Sequence, residues 1–189
     1  MNTPAHIILG AAGFARAGAP AITAAAIFGS LLPDLSLYLM AGWALFVQAL
    51  PPEVVFGQLY FSDGWQQVFA VDNSIPLWSL VLVAGLWLRR DWLVVFAATG
   101  VLHLGCDFFL HHDDARRHFW PLSDYVFRSP FSYWDPAYHG AVLGPTEGVM
   151  SVLLCYVLWK RFRGGWARAF IALAGALEFF PMVMFRLLG

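Results

Sequence analysis

The chain has few charged residues. Asp, Glu, Lys and Arg make up 12% of its 189 residues, whereas they account for about a quarter of a typical soluble domain. Hydrophobic residues make up 60%, and the mean hydropathy is +0.65. This composition excludes an ordinary soluble domain and indicates an integral membrane protein. At about 20 apolar residues per crossing, the length predicts an all-α, polytopic bundle of about five membrane-embedded helices. We expect a single integral membrane domain over residues 1–189.

The net charge, the two cysteines and the residues before the first apolar run each exclude a class of function or structure. The formal net charge of -1 offers no basic surface for nucleic acid, so no nucleic-acid partner is expected. The two cysteines, Cys106 and Cys155, both lie in apolar segments, which predicts buried thiols and not a disulfide or a Cys-rich zinc site. No basic region precedes the first apolar run, so that run is expected to be mature structure and not a signal peptide.

Apolar segments alternate with short polar breaks along the chain. We predict helices at residues 3–15, 21–32, 35–50, 77–88, 92–110, 146–159 and 169–188. The break at Pro33-Asp34 leaves two possibilities, one long kinked helix or two helices that meet there, because proline removes one intrahelical hydrogen bond. Residues 51–72 are predicted to form a loop without Lys or Arg. Residues 111–145 are predicted to form a long polar loop, and such loops are often functional.

The basic residues predict a topology. Lys and Arg concentrate in cytoplasmic loops near membrane ends, which puts Arg89-Arg90 and the basic residues at 160–168 inside. The two loops at 51–72 and 111–145 then face the outside. The 1.5 Å rise per helical residue predicts that four side chains from three segments converge near the outer leaflet: His6, Asp34, His103 and Asp107. Three arginines of the second loop oppose this topology: Arg116, Arg117 and Arg128.

Metal-ligand side chains recur at helical spacing in one apolar segment. His103, Asp107 and His111 are four residues apart, so they share one face of a helix. An Asp at the centre of a membrane helix costs about 2.5 to 3.5 kcal/mol and needs a partner. Imidazole and carboxylate ligands suit a divalent metal, with zinc favoured. We predict one or two ions held by His6, Asp34, His103 and Asp107, with His111 or His112 available for a second ion.

Other polar residues suggest roles in a reaction. Glu147 or Asp114 is a candidate general base, and Arg116 with Arg117 is a candidate clamp for an anionic substrate. Glu147 and the arginines also have simpler explanations. Glu147 can lie at a helix start, where acidic residues are favoured, and the arginines can lie on a solvated loop face. Simpler readings also exist for the ligand candidates, namely Asp34 as a helix N-cap and the pair of His103 and Asp107 as a hydrogen bond between helices. His6 can serve as an interfacial histidine, and the loop histidines as solvated residues.

The order of short motifs resembles that of a known family. These motifs are Thr3-Pro-Ala-His6 with Gly10, Leu32-Pro33-Asp34, His103-x-x-x-Asp107, and Trp120-Pro121 before an apolar helix. Together they are similar to the YdjM-like family of inner-membrane, metal-dependent hydrolases, also described as LexA-binding. The resemblance implies a multi-helix protein of the bacterial inner membrane that binds metal through His6, Asp34, His103 and Asp107.

One element departs from that family. Its members commonly carry a His-Arg…His-Ser element where this chain has Asp72-Asn73-Ser74. If that element supplies ligands, the present chain either replaces them with Asp72 and the histidines after Asp107, or holds one metal fewer.

The residues and the resemblance lead to one expected function and two alternatives. We expect a membrane-embedded metal-dependent hydrolase that acts on a lipid or lipid-linked phosphoester at the outer leaflet, with its site facing the periplasm. The first alternative is a non-catalytic membrane scaffold or partner-binding protein whose His/Asp cluster is structural or only binds metal. The second is a transporter, because ionisable residues in a membrane can mark an ion path.

Overall fold

The computed structural model describes the backbone of residues 1–188 and the side chains of residues 1–180. Over that range the chain is helical and contains no β-strand, which confirms the predicted all-α membrane bundle. The α-helices are α1 (Thr3–Phe14), α2 (Pro20–Gly42), α3 (Pro52–Val54), α4 (Asp63–Asp72), α5 (Ile75–Trp87), α6 (Asp91–Leu110), α7 (Gly140–Arg161) and α8 (Gly165–Leu188). Single π-helical turns follow α2 and α3, at Trp43–Val47 and Val55–Leu59.

Among the described residues, four helical stretches are long and apolar enough to cross a membrane. They are Pro20–Val47, Asp63–Trp87, Asp91–Leu110 and Gly140–Arg161. Large apolar side chains such as Phe28, Leu80 and Leu153 are exposed on them, as expected of helices that face lipid, since lipid tails are as apolar as the side chains themselves. These stretches indicate a multi-pass membrane protein.

The short helix α1 lies at the centre of the bundle. It packs against α2, α6, α7 and α8, and Ala5, His6 and Ile8 are almost completely buried. At its C-terminal end, the Arg161 guanidinium donates hydrogen bonds to the carbonyls of Ala11 (3.2 Å) and Ala15 (2.8 Å). The Ala11 carbonyl also accepts a hydrogen bond from the Ala15 amide (2.9 Å), and the Ala15 carbonyl lies just beyond the helix end, so Arg161 supplies donors where the helix itself provides few. His6 therefore lies at the end of α1 opposite the basic end of α7.

Helices α2 and α6 approach each other closely. Pro33 lies inside a continuous α2, which decides the alternatives at Pro33-Asp34 in favour of one long helix. A Cβ atom built on Gly29 would lie 2.1 Å from the Phe96 carbonyl oxygen, so only glycine permits this contact. Small residues at such crossings let membrane helices approach backbone to backbone. The approach places the stretch from Ser30 to Asp34 against His103.

The prediction of a loop at residues 51–72 is wrong. Part of it is helical, because α4 (Asp63–Asp72) begins after Ser62 and buries Phe69 and Ala70. The prolines, the acidic residues and Gly64 of this stretch are typical of a connector. The distribution of the residues in α4 is instead amphipathic, with one face toward α2, as in a helix only half covered by protein.

The boundary of the second predicted loop, 111–145, is also wrong. Helix α7 begins at Gly140 and continues through Pro145, since one proline costs a helix a single donor and a local distortion without necessarily ending it. Apart from a 3₁₀ turn at Pro136–Tyr138, the preceding segment is irregular. It folds back on the end of α6, where the Tyr133 amide donates to the Leu110 carbonyl (3.1 Å).

The two cysteines form no disulfide. Cys106 on α6 and Cys155 on α7 are both free thiols and partly buried. The two thiols are free, as predicted, but they are less buried than expected.

Candidate metal centre

Three predicted ligands form one buried group. His6 of α1 lies beside His103 and Asp107 of α6, and one ligand atom from each lies within 4.8 Å of the others. Nε2 of His6 is 2.8 Å from Oδ1 of Asp107, and Nε2 of His103 is 3.1 Å from Oδ2. The two imidazole rings are stacked, with centroids 3.5 Å apart. Since imidazole and carboxylate are metal-ligating groups, this group can hold a metal ion.

The orientation of His103 is fixed from a neighbouring helix. Its Nδ1 lies 2.7 Å from the Ser30 carbonyl oxygen, and a carbonyl only accepts, so Nδ1 carries the proton. Nε2 then faces Asp107 and, at 3.6 Å, Oδ1 of Asp34, without a hydrogen-bond partner among the described residues. Metal-ligating histidines are commonly held in this way through their second nitrogen. A lone pair that faces carboxylates requires either a bound cation or a proton on the ring.

Asp34 lies at the edge of this group. One oxygen faces His103, and the other accepts a hydrogen bond from the Thr3 hydroxyl, which in turn accepts one from Tyr38 (2.9 Å). Because Asp34 lies inside a continuous α2, its alternative reading as a helix N-cap is wrong. The carboxylate instead connects α1 and α2 next to the candidate ligands.

His111 extends the group beyond the end of α6. Its Nε2 is 3.1 Å from Oδ1 of Asp107, and its Nδ1 is 2.7 Å from Oδ2 of Asp114. Burial opposes a charged ring, but the charge of Asp107 and the hydrogen bonds to both carboxylates raise the pKa of His111. Burial alone would raise the pKa of the Asp114 carboxyl. The hydrogen bond and the charge of His111 outweigh burial and lower that pKa. Asp114 is thus a positioning residue for His111.

The amino group of Met1 also contacts this group. It lies 2.9 Å from Oδ1 of Asp107 and 3.4 Å from Nε2 of His111. The ammonium places a positive charge against a carboxylate that already faces His6. A terminal amine carries no sequence motif, so nothing in the residue pattern indicated this contact.

Glu147 lies close to the candidate ligands on a separate helix. It is buried in α7, where Oε1 accepts a hydrogen bond from the Asn2 amide (2.7 Å) and Oε2 has no partner among the described residues. Its position eight residues into α7 means that the helix-start reading is wrong. Glu178 of α8, also buried, lies beside it. The sequence signal for Glu178 was a lone carboxyl within an apolar segment, which needs a partner in a membrane.

His112 and Arg117 make their contacts elsewhere. Nδ1 of His112 lies 2.6 Å from the Ser129 carbonyl oxygen, and its ring stacks on Tyr138 with centroids 3.5 Å apart. Arg117 pairs with the exposed Asp124 at 3.4 Å. His112 as a ligand and Arg117 as a substrate clamp therefore have no support from these contacts.

Arg116 is buried away from the ligand group. Its guanidinium carbon lies 4.1 Å from the Phe69 ring centroid and 5.1 Å from that of Tyr60. Such contacts stabilise a cation through the negative face of the ring.

The element Asp72-Asn73-Ser74 connects three parts of the fold. The Asn73 side chain donates to the backbone carbonyls of Pro33 (3.2 Å) and Phe69 (3.0 Å). The backbone carbonyl oxygen of Asn73 lies 3.1 Å from Nδ1 of His118. Ser74 donates to the Trp120 carbonyl. The element holds the loop against α2 and α4 through neutral groups, and the described contacts give Asp72 no place among the ligands.

Comparisons with models of protein families, with curated proteins and with solved structures give no match to this chain.

Proposed function

We propose that this protein is a membrane-embedded, metal-dependent hydrolase with zinc as its metal. The carrying observation is the geometry of His103, whose Nδ1 bonds the Ser30 carbonyl while its unpartnered Nε2 faces two carboxylates. His6, His103 and Asp107 supply three ligands, and three protein ligands with one open position are typical of catalytic zinc. Asp34 and His111 lie next to them and are available as a further ligand or for a second ion.

The residues fit such an ion. The donors are imidazole nitrogens and carboxylate oxygens, which zinc prefers together with thiolate. A bound zinc ion supplies Lewis acidity, which acidifies water and polarises a phosphoryl or carbonyl oxygen. The chain's own contribution is a rigid and largely water-excluded arrangement, in which His103 and His111 are each oriented through their second nitrogen.

Two carboxyls have separate proposed roles. Asp114 orients His111 through the 2.7 Å contact and is a positioning residue. Glu147 keeps one unpartnered oxygen and is joined through Asn2 to the terminal segment that contacts Asp107. A buried carboxylate with a free oxygen can accept a proton from water during hydrolysis, so Glu147 is the proposed general base.

A lipid or lipid-linked phosphoester is the proposed substrate. The candidate ligands lie on helices that include two membrane-spanning stretches, Pro20–Val47 and Asp91–Leu110. They are at the end of the bundle opposite Arg161, and basic residues favour the cytoplasmic side. We therefore propose a site at the periplasmic leaflet of a bacterial inner membrane, where a substrate can diffuse in the plane of the bilayer.

A lipid hydrolysis assay tests the enzymatic claim. Purified protein in nanodiscs is loaded with zinc and incubated with a panel of phospholipids, and released head groups and lipids are quantified by mass spectrometry. We expect a product that Asp107→Asn abolishes and the exposed-site control Asp113→Asn retains. Equal product formation by the wild type and Asp107→Asn would contradict the proposal.

A second candidate function is a structural cluster in a non-catalytic membrane scaffold. It is favoured by the imidazoles of His6, His103 and His111, which already surround Asp107 at 2.8, 3.1 and 3.1 Å and compensate its charge without a metal when they carry protons. Under this alternative, purified protein carries no stoichiometric metal, and the cluster joins α1 to α6 through ionic hydrogen bonds.

A further inference from the structure

Arg116 has an unusual environment for a buried cation. The residue is 6% exposed, and its Nη1 is buried without a hydrogen-bond partner. None of the carboxylates in the described part of the chain forms an ion pair with it, whereas its neighbour Arg117 pairs with Asp124. Buried arginines are almost always paired, because a guanidinium carries five donors that must be satisfied.

Two aromatic rings hold the guanidinium in place. Phe69 of α4 lies 4.1 Å from its carbon atom, and Tyr60, from the segment before α4, lies 5.1 Å away. Ring faces attract the cation but accept none of its in-plane N–H bonds. The aromatic contacts therefore leave Nη1 free for an acceptor that residues 1–180 do not provide.

A second buried side chain with an unpartnered nitrogen, His118, lies on the same short turn as Arg116. His118 is 1% exposed, its Nδ1 is held by the Asn73 carbonyl, and its Nε2 has no partner among the described residues. Asn73 follows α4 one turn after Phe69, on which Arg116 rests, so both side chains are anchored to the same helix end. Because Nδ1 of His118 donates to a carbonyl, Nε2 is an acceptor, and it can accept a hydrogen bond from a phosphoryl hydroxyl while the guanidinium donates to the phosphoryl oxygens.

Arg116 lies two residues after Asp114, which orients His111. Burial raises the pKa of Tyr60 to about 12; Arg116 opposes this rise, and Asp114, Asp34 and Asp107 add to it. The charge of Arg116 and the charges of these carboxylates therefore act on the Tyr60 hydroxyl in opposite directions.

We propose that Arg116 and His118 form a binding site for a phosphoryl group, either of an anionic lipid head group or of a free phosphate. The proposal rests on the proposed hydrolase function and specifies its substrate as one that carries a phosphoryl oxyanion. Planar, bidentate donation by arginine matches two phosphate oxygens.

Phosphate binding by matched arginine variants tests this site. Equilibrium dialysis against radiolabelled inorganic phosphate is run on detergent-purified protein, with and without added zinc, for the wild type, Arg116→Gln and the control Arg117→Gln. We expect Arg116→Gln to weaken binding by about 30-fold or more, as for the loss of one partner of a buried charge pair, and Arg117→Gln to change it little. Arg116→Lys keeps the charge but not the planar fork, so it serves as the variant if Arg116→Gln does not fold.

The outcomes separate this proposal from the metal site. The phosphoryl site is overturned if the wild type does not bind phosphate, or if Arg116→Gln and Arg116→Lys bind it as the wild type does. Zinc content measured on the same samples tests the hydrolase proposal separately. Phosphatidylcholine vesicles with and without phosphatidic acid then identify the source of the phosphoryl group. Displacement of bound phosphate only by vesicles with phosphatidic acid assigns the site to a lipid head group, and no displacement assigns it to a soluble phosphate.

Discussion

Nε2 of His103 lies 3.1 Å from Oδ2 of Asp107, one turn further along α6. The same imidazole is held through its Nδ1 by the Ser30 carbonyl of α2. A helix crossing that only Gly29 permits brings the two helices to this distance. The position of a candidate metal ligand is therefore set by backbone packing between two membrane-spanning helices, which makes the site sensitive to changes in that packing.

Replacing Asp107 by Asn tests how far one carboxylate holds the centre together. Its Oδ1 contacts the Met1 ammonium and Nε2 of both His6 and His111. Removing one partner of a buried ion pair typically costs about 3 to 5 kcal/mol, so we expect the metal-free variant to melt at a clearly lower temperature. Asp91→Asn, at an exposed position of the same helix, is the control. Equal melting temperatures for metal-free wild type and Asp107→Asn would contradict the predicted role.

The Asp114 carboxylate is expected to tune metal affinity without binding the metal. Because it fixes the His111 ring through a 2.7 Å contact, Asp114→Asn should weaken zinc binding by about 10- to 100-fold, as for other groups that orient metal-ligating histidines. Asp113→Asn is the matched control, since Asp113 is adjacent and its side chain is 58% exposed. Competition with a fluorescent zinc chelator measures both affinities. An unchanged affinity in Asp114→Asn would exclude His111 from the ligand set.

The α2–α6 crossing is expected to tolerate no side chain at Gly29. A Cβ there would meet the Phe96 carbonyl oxygen at 2.1 Å, and overpacking typically costs about 1 to 3 kcal/mol. Gly29→Ala should lower the melting temperature and the zinc content together, because it moves Ser30 away from His103. Gly42→Ala, in the same helix with nothing within 4 Å of its Cβ, should do neither. A fully metal-loaded Gly29→Ala protein would show that the crossing does not set the site.

The stability of the metal-free protein is expected to depend on pH through His111. Burial alone would lower its pKa, but Asp107 and Asp114 raise it, so the charged ring binds its proton more tightly in the folded protein than in the unfolded chain. The stabilisation is complete below the ordinary histidine pKa of about 6.5 and is lost as the pH rises through the raised value. The difference in melting temperature between wild type and His111→Gln should therefore shrink from acidic to alkaline pH. A difference independent of pH would contradict the charged form of His111.

Much of the fold and site was accessible from sequence because helical spacing and membrane energetics act locally. The spacing of His103, Asp107 and His111 placed three polar groups on one helix face, and the distribution of basic residues predicted which end they share with Asp34. These inferences need only the period of a helix and the cost of burying charge.

Features that depend on tertiary contacts were not accessible in the same way. The central position of α1, the contact of the Met1 amine with Asp107, and the stacking of Arg116 on Phe69 arise from packing between distant segments. Glu178 gave a usable signal as a lone carboxyl in an apolar helix, but Glu147, which lies beside it, is on another helix. Pro145 predicted a helix boundary that the structure does not have, since local propensity yields to packing when only one hydrogen bond is lost.

The most direct test of the central claim is the metal content of the purified protein. Detergent-purified wild type and the His103→Ala, Asp107→Ala double variant are measured by elemental analysis, and thermal melting checks that both are folded. The account predicts about one zinc ion per wild-type chain, from a single tetrahedral set of ligands, and loss of that ion from the double variant. A folded wild type without stoichiometric metal, or a double variant that retains it, would contradict the metal centre and leave the cluster as a hydrogen-bonded structural core.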